Sequence, residues 1–136
     1  MKEKSCGAII YRKKSNKLEF LIVKQSNENY SFPKGHIEAN ETEIETVLRE
    51  VKEETNLDIK LDTNFRESIT YFLESKKRYK EAVYFIGYDY SGNLKSQEGE
   101  ILNCDWYEYK KALELLEFDN IRGVLKKAFD YINSKK

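Results

Sequence analysis

The chain has 136 residues, 40% hydrophobic and 35% charged, with ten tyrosines and seven phenylalanines, which excludes a disordered chain and supplies a core for one ordinary domain spanning 1–136. Its 24 basic and 24 acidic residues cancel. No bulk field then holds it on nucleic acid or an anionic membrane, so an anionic ligand needs local charge or a metal ion.

In chain order, Cys6 to Tyr11 and Leu18 to Val23 are short runs rich in β-branched and aromatic residues, separated by polar Lys13 to Lys17, and read as a hairpin. Tyr30 to Ile37 reads as a loop, and it holds the only proline and the only histidine of the chain, Pro33 and His36. From Thr42 the period changes. Ile44, Val47, Leu48 and Val51 fall at i, i+3, i+4 and i+7, which predicts a helix with that apolar face. Thr42 followed by Glu45 is a capping-box pattern, and Asn56 suits a left-handed stop. Asp58 to Leu61, Ser68 to Leu73, Ala82 to Tyr88 and Ile101 to Tyr107 read as strands, with Glu74 to Lys80 as a charged hairpin tip. Lys110 to Glu117 and Ile121 to Ile132 read as helices. The predicted class is α/β, a mixed sheet with helices on both faces.

The helix after Thr42 carries an unusual charge pattern. Glu50, Glu53 and Glu54 cluster on one sector beside the apolar stripe, and Glu41 to Glu54 contains six acids against two bases, Arg49 and Lys52. Like charges at i, i+4 cost a few tenths of a kcal/mol per pair. A hard divalent cation relieves that repulsion, since carboxylate oxygens suit Mg²⁺, which keeps several waters and takes phosphate oxygens as well. Such an ion polarises phosphorus and acidifies a bound water, and a free carboxylate can accept the proton. A merely solvated acidic face is the competing reading.

The surrounding residues separate the two. Gly35, Glu41 and the run Arg49-Glu50-Val51-Lys52-Glu53-Glu54-Thr55-Asn56-Leu57 resemble the Nudix box, G-x5-E-x7-R-E-U-x-E-E-x-G-U, where U is aliphatic. Every defined position from 35 to 57 matches except Asn56, which stands for the second glycine. The resemblance implies a Nudix α/β/α sandwich that hydrolyses acid anhydrides in phosphorus-containing substrates with Mg²⁺, or Mn²⁺ in its place. It implies Gly35, Glu50, Glu53 and Glu54 as the metal site, with Glu53 either a ligand or the general base. It makes Arg49 the residue that orients carboxylates, Glu41 included.

CGAIIYRK, LEFLIVKQ and FPKGHIE further resemble the asymmetrical diadenosine tetraphosphate hydrolases of that family, and the similarity covers most of the chain. It implies a small nucleotide substrate, with Lys34 and His36 near its phosphates, Lys80 reaching the polyphosphate and Tyr84 stacking on adenine. A loop histidine bonded to backbone, a solvated hairpin-tip lysine and a core tyrosine are the plainer alternatives. Glu100 fits a further carboxylate of the site, with Glu98 two residues away as the rival. Tyr30 stands where relatives often carry Trp, and Ala39-Asn40 replaces a commoner Pro-Gly. The expected reaction is diadenosine tetraphosphate to ATP and AMP. A nucleoside triphosphate or capped-RNA pyrophosphohydrolase, and a non-catalytic nucleotide sensor, are the other readings. No apolar run reaches a membrane span, and the apolar run near the N-terminus is too short for a signal peptide. The expectation is a cytoplasmic monomer or weak dimer with Cys6 and Cys104 as buried thiols.

Overall fold

Side-chain alternation along the first strand, β1 (Glu3–Lys14), divides the molecule into two cores. The computed structural model describes residues 3–135. Cys6, Ala8 and Ile10 of β1 face one side, with Leu21 and Val23 of β2 (Lys17–Gln25) and Val83 and Phe85 of β6 (Arg78–Ser91). Ile9, Phe20, Ile22, Ala82, Tyr84 and Ile86 face the other. The first face is covered by Val47 and Val51 of α1 (Glu43–Thr55). The second is covered by α2 (Tyr109–Leu115) and α3 (Asp119–Ser134), through Ala112, Val124, Leu125, Ala128 and Ile132. The result is the predicted α/β/α sandwich.

The sheet is mixed. β1 runs parallel to β6 and antiparallel to β2, and β5 (Asp58–Leu73) pairs antiparallel with the outer side of β6. β3 (Tyr30–Ser31) and β7 (Ile101–Glu108) both pair with β2. The first half of β1 is free of β2 and instead takes β4 (Lys34–His36), in the register Ser5 to His36, Cys6 to Gly35 and Gly7 to Lys34.

Several boundaries differ from the sequence reading. Tyr30 to Ile37 is not all loop, because β3 and β4 flank Phe32-Pro33. The two strands predicted over 58–61 and 68–73 are one, with a register irregularity between Asp62 and Glu67 where the polar run suggested a break. The hairpin tip is shorter, since β6 begins at Arg78 and places Lys80 within the ladder, opposite Glu3 and Tyr71. Ile44 and Leu48, predicted on the buried face of α1, are 42% and 41% exposed. The buried set is instead Thr46, Val47, Val51, Glu54 and Thr55. At about 100° per residue that face lies roughly 45° from the predicted stripe, turned towards the acids.

The ends of α1 are as predicted. Thr42 Oγ1 accepts from the Glu45 amide at 3.1 Å, and the Thr42 amide donates to Glu45 Oε1 at 2.8 Å. Asn56 adopts a left-handed cap with φ 68°, and its side-chain amide donates to the Asn93 carbonyl at 2.9 Å. Asn56→Gly relieves backbone strain and loses that bond, so the two nearly offset. Asn56→Ala loses the bond and keeps the strain. Urea denaturation should show Asn56→Ala destabilised by about 1–2 kcal/mol and Asn56→Gly within about 0.5 kcal/mol of the parent.

Candidate active site

The turn of α1 towards its acids, the entry of β4 into the sheet and the start of β6 meet at one open cavity of about 660 Å³. Lys34, Gly35, His36, Arg49, Glu50, Glu53, Glu54, Lys80 and Glu100 all line it. Glu98, the rival to Glu100, is not among its lining residues. One wall is acidic, from α1 and the segment before β7. The basic wall, Lys34 and Lys80, comes from β4 and β6.

Arg49 organises the acidic wall. Its Nε and Nη2 donate to the two oxygens of Glu41 at 2.6 and 3.0 Å, and Nη2 also reaches the His36 carbonyl at 3.0 Å. Its Nη1 donates to Glu50 at 3.1 Å and Glu53 at 3.2 Å. This fork needs a planar guanidinium, which a lysine cannot replace. The Arg49 bonds hold the Glu41 carboxyl well down, at about 2, with the Glu38 amide assisting. Glu41 also accepts from the Thr46 hydroxyl at 2.8 Å, which fixes the loop onto the helix.

Gly35 leaves the room in which Glu50 sits, so any other residue there would displace that carboxylate. The Glu50 carboxylate lies against its Cα, where a Cβ on any other residue would collide with it. Glu54 is only 6% exposed, and its Oε1 is buried with no partner. Burial, and next the charge of Glu50, push its carboxyl up to about 8. Burial likewise raises Glu50, partly countered by Arg49. An orphaned carboxylate oxygen and a second carboxylate seated on a glycine are hard oxygen donors, and they fit a divalent cation. With Arg49 drawing Glu50 and Glu53 to itself, no three His, Cys, Asp or Glu side chains converge on one point among the described residues.

The basic wall shows the opposite sign of strain. Burial, then the charge of Lys80, lowers Lys34 to about 8. Lys80 is lowered by burial. His36 is lowered by burial and then by Lys80, so it is neutral around pH 7.

A second cavity of about 500 Å³ adjoins the first and shares Gln25, Asn27 and Lys34 with it. Tyr30, Tyr71, Phe72, Tyr84 and Phe118 give it an aromatic lining. Here the expectation for Tyr84 needs correction. Its ring is fully buried, edge-on to Phe32 with centroids 5.7 Å apart, so neither face is open to stack on a base. Its inward direction follows from strand parity, since Tyr84 lies with Ala82 and Ile86 on the α3 side. The exposed rings at this cavity are Phe72 and Phe118, at 42% and 58%. Sequence reasoning missed both, along with Ser5, Gln25 and Asn27. Nothing in the local pattern separates such residues from ordinary strand and loop positions.

Arg49→Lys should lower the urea midpoint at pH 7. The carboxyl of Glu41 is depressed, so its contribution is present above the ordinary 4.5 and is lost as pH falls towards about 2. A pH series of urea midpoints should therefore show a shallower acid decline in Arg49→Lys than in the parent.

A profile described as the NUDIX domain matches residues 1–129. The chain is 30% identical over 128 residues to the asymmetrical bis(5'-nucleosyl)-tetraphosphatase of Caenorhabditis elegans, covering 91% of this chain and 92% of that one. It is also 30% identical over 122 residues to the m7GpppN-mRNA hydrolase of Saccharomyces cerevisiae, covering 88% of this chain but 12% of that one. The crystal structure of a C. elegans Ap4A hydrolase binary complex shares the fold, with a TM-score of 0.88, 24% identity and coverage of 97% and 98%. On the profile and the nematode relative together, the chain belongs to the Nudix family of hydrolases.

Proposed function

We propose that this protein hydrolyses diadenosine tetraphosphate asymmetrically, to ATP and AMP, with Mg²⁺ as its ion and Mn²⁺ able to replace it. The observation that carries this reading is the lining of one cavity by both Glu50 and Glu54 and Lys34 and Lys80, with an aromatic cavity sharing Lys34 beside it. The lysines supply cations for a polyphosphate, whereas Arg49, the cation among the acids, is already bonded to Glu41, Glu50 and Glu53. The similarity to the nematode tetraphosphatase over nine-tenths of both chains supports the substrate class.

In this reading Glu50 and Glu54 hold the ion, with the Gly35 carbonyl and Glu53 beside them. The bound ion would neutralise phosphate charge and acidify the attacking water. Lys34 and Lys80 bind the phosphate chain as point charges, and neutral His36 donates a hydrogen bond to it. Arg49 holds Glu50 and Glu53 in place, and Glu53 and Glu100 are the carboxylates placed to take the proton from water. Phe72 and Phe118, with Tyr30 and Tyr71, enclose an adenine in the second cavity, where aromatic contact is worth about 1–3 kcal/mol per base.

Incubation with diadenosine tetraphosphate and Mg²⁺, followed by product separation, should give ATP and AMP in equal amounts. ADP alone, or no turnover, would overturn the proposal. Capped RNA, run in parallel, should be cleaved far more slowly if the similarity to the yeast decapping enzyme reflects shared descent only. Glu54→Gln should keep the fold and lose at least about a hundredfold in kcat.

Glu54 also predicts a pH effect independent of turnover. Its carboxyl is raised from 4.5 to about 8, so between those values the folded state binds more protons than the unfolded state. Without divalent ions, stability should therefore fall as pH rises through that window. Glu54→Gln removes this decline and should melt roughly 5 °C or more above the parent at pH 8.5. Added Mg²⁺ should raise the melting temperature of the parent at that pH and leave Glu54→Gln nearly unchanged.

A further inference from the structure

Ser5 is 1% exposed, lines the first cavity, and has a hydroxyl oxygen with no hydrogen-bond partner in the protein. Such a group is destabilising where it stands, because it has left water without replacing the bond. The neighbouring main chain is already used, since Ser5 lies in β1 between two paired strands, opposite His36 of β4 and Ala82 of β6.

The ladder shows what surrounds the hydroxyl. Paired residues project to the same side of a sheet, so Glu3, Ser5 and Gly7 share a face with Lys34 and His36 of β4 and with Lys80 and Ala82 of β6. Lys34 is opposite Gly7 and Lys80 is opposite Glu3, on the two flanking strands. Ser5 therefore lies on the diagonal between the two lysines. All three residues line the first cavity, and the two lysines are close enough for the charge of Lys80 to lower Lys34. Two lysines of like charge on the strands flanking an unpartnered hydroxyl are donors suited to an oxyanion, which would relieve their repulsion.

We propose that Ser5 is a substrate-binding residue whose hydroxyl donates to a polyphosphate oxygen seated between Lys34 and Lys80. The inference rests on the phosphoanhydride reading of the cavity and deepens it. A lysine ammonium on a four-carbon stem attracts phosphate without fixing its orientation. Ser5 is short and held in the central strand, so its bond selects one phosphate oxygen and one position along the chain. It thus sets which anhydride faces Glu50 and Glu54.

The test is Ser5→Ala, which removes only the hydroxyl. Calorimetric titration with inorganic tripolyphosphate in Mg²⁺ buffer, and thermal unfolding of the free protein, are measured for the parent and the variant. The variant should bind tripolyphosphate roughly ten- to hundredfold more weakly, as expected for one hydrogen bond to a charged group. Its melting temperature should stay level or rise by about 2–5 °C, because an unpartnered buried hydroxyl is gone. Equal affinity in parent and variant overturns the role of Ser5 and leaves the catalytic reading standing. Weaker binding accompanied by a lower melting temperature also overturns it, since the hydroxyl would then be structural. A parent that binds no tripolyphosphate sinks the phosphoanhydride reading itself, and this inference with it.

Discussion

The guanidinium of Arg49 is the constraint on which the site depends. It joins three separate pieces of chain: Glu41 in the entry loop, Glu50 and Glu53 on α1, and the His36 carbonyl of β4. Without that cation, Glu41, Glu50 and Glu53 would lose the one guanidinium that bonds all three and ties them to β4. With it, α1 can turn its Glu50–Glu54 side inward rather than burying the Ile44–Leu48 side, which stays exposed. The turn carries Glu50 onto Gly35 and carries Glu54 below the surface. The geometry of the acidic wall is thus a consequence of which sector of one helix faces the sheet.

That geometry is held at an electrostatic cost. Burial raises Glu54 and lowers Lys34, so each group has lost part of its preference for the charged form. Acids and bases of this kind are poised for ligands of opposite charge: a cation for the carboxylates and an anion for the amines. Ser5, with its unpartnered hydroxyl, belongs to the same class. The stability that offsets these groups comes from elsewhere, from two cores that contain Ile9, Phe20, Ile22 and Leu125 on one face and Ala8, Ile10, Val47 and Val51 on the other.

Two departures from the family pattern have one explanation. Asn40 stands where a Pro-Gly is commoner, and Asn56 stands where the box has its second glycine. Both adopt left-handed backbone, at φ 70° and 68°. Asparagine is the residue after glycine that tolerates this conformation best, because its short side chain can hydrogen-bond locally. The entry to α1 and its exit are therefore both kept without glycine.

Much of this protein was legible in the residues themselves. Periodicity and capping located α1 to within a residue at each end, and alternation identified the long strands, because both depend on neighbours in the chain. The spacing of Gly35, Glu41, Arg49, Glu50, Glu53 and Glu54 named most of the acidic wall, since helical spacing alone puts the last four together. The tertiary structure decided what depends on distant strands. Pairing of Lys80 with Glu3 and of Lys34 with Gly7 puts the lysines on the two strands flanking Ser5, whose neighbours in sequence say nothing of it. Tyr84 went to the core because packing across the sheet fixed which face its strand turned inward, and Phe118 reached the second cavity because α3 docks against that face. Local chemistry is written along the chain, whereas burial and the meeting of remote side chains arise only when the strands are laid side by side.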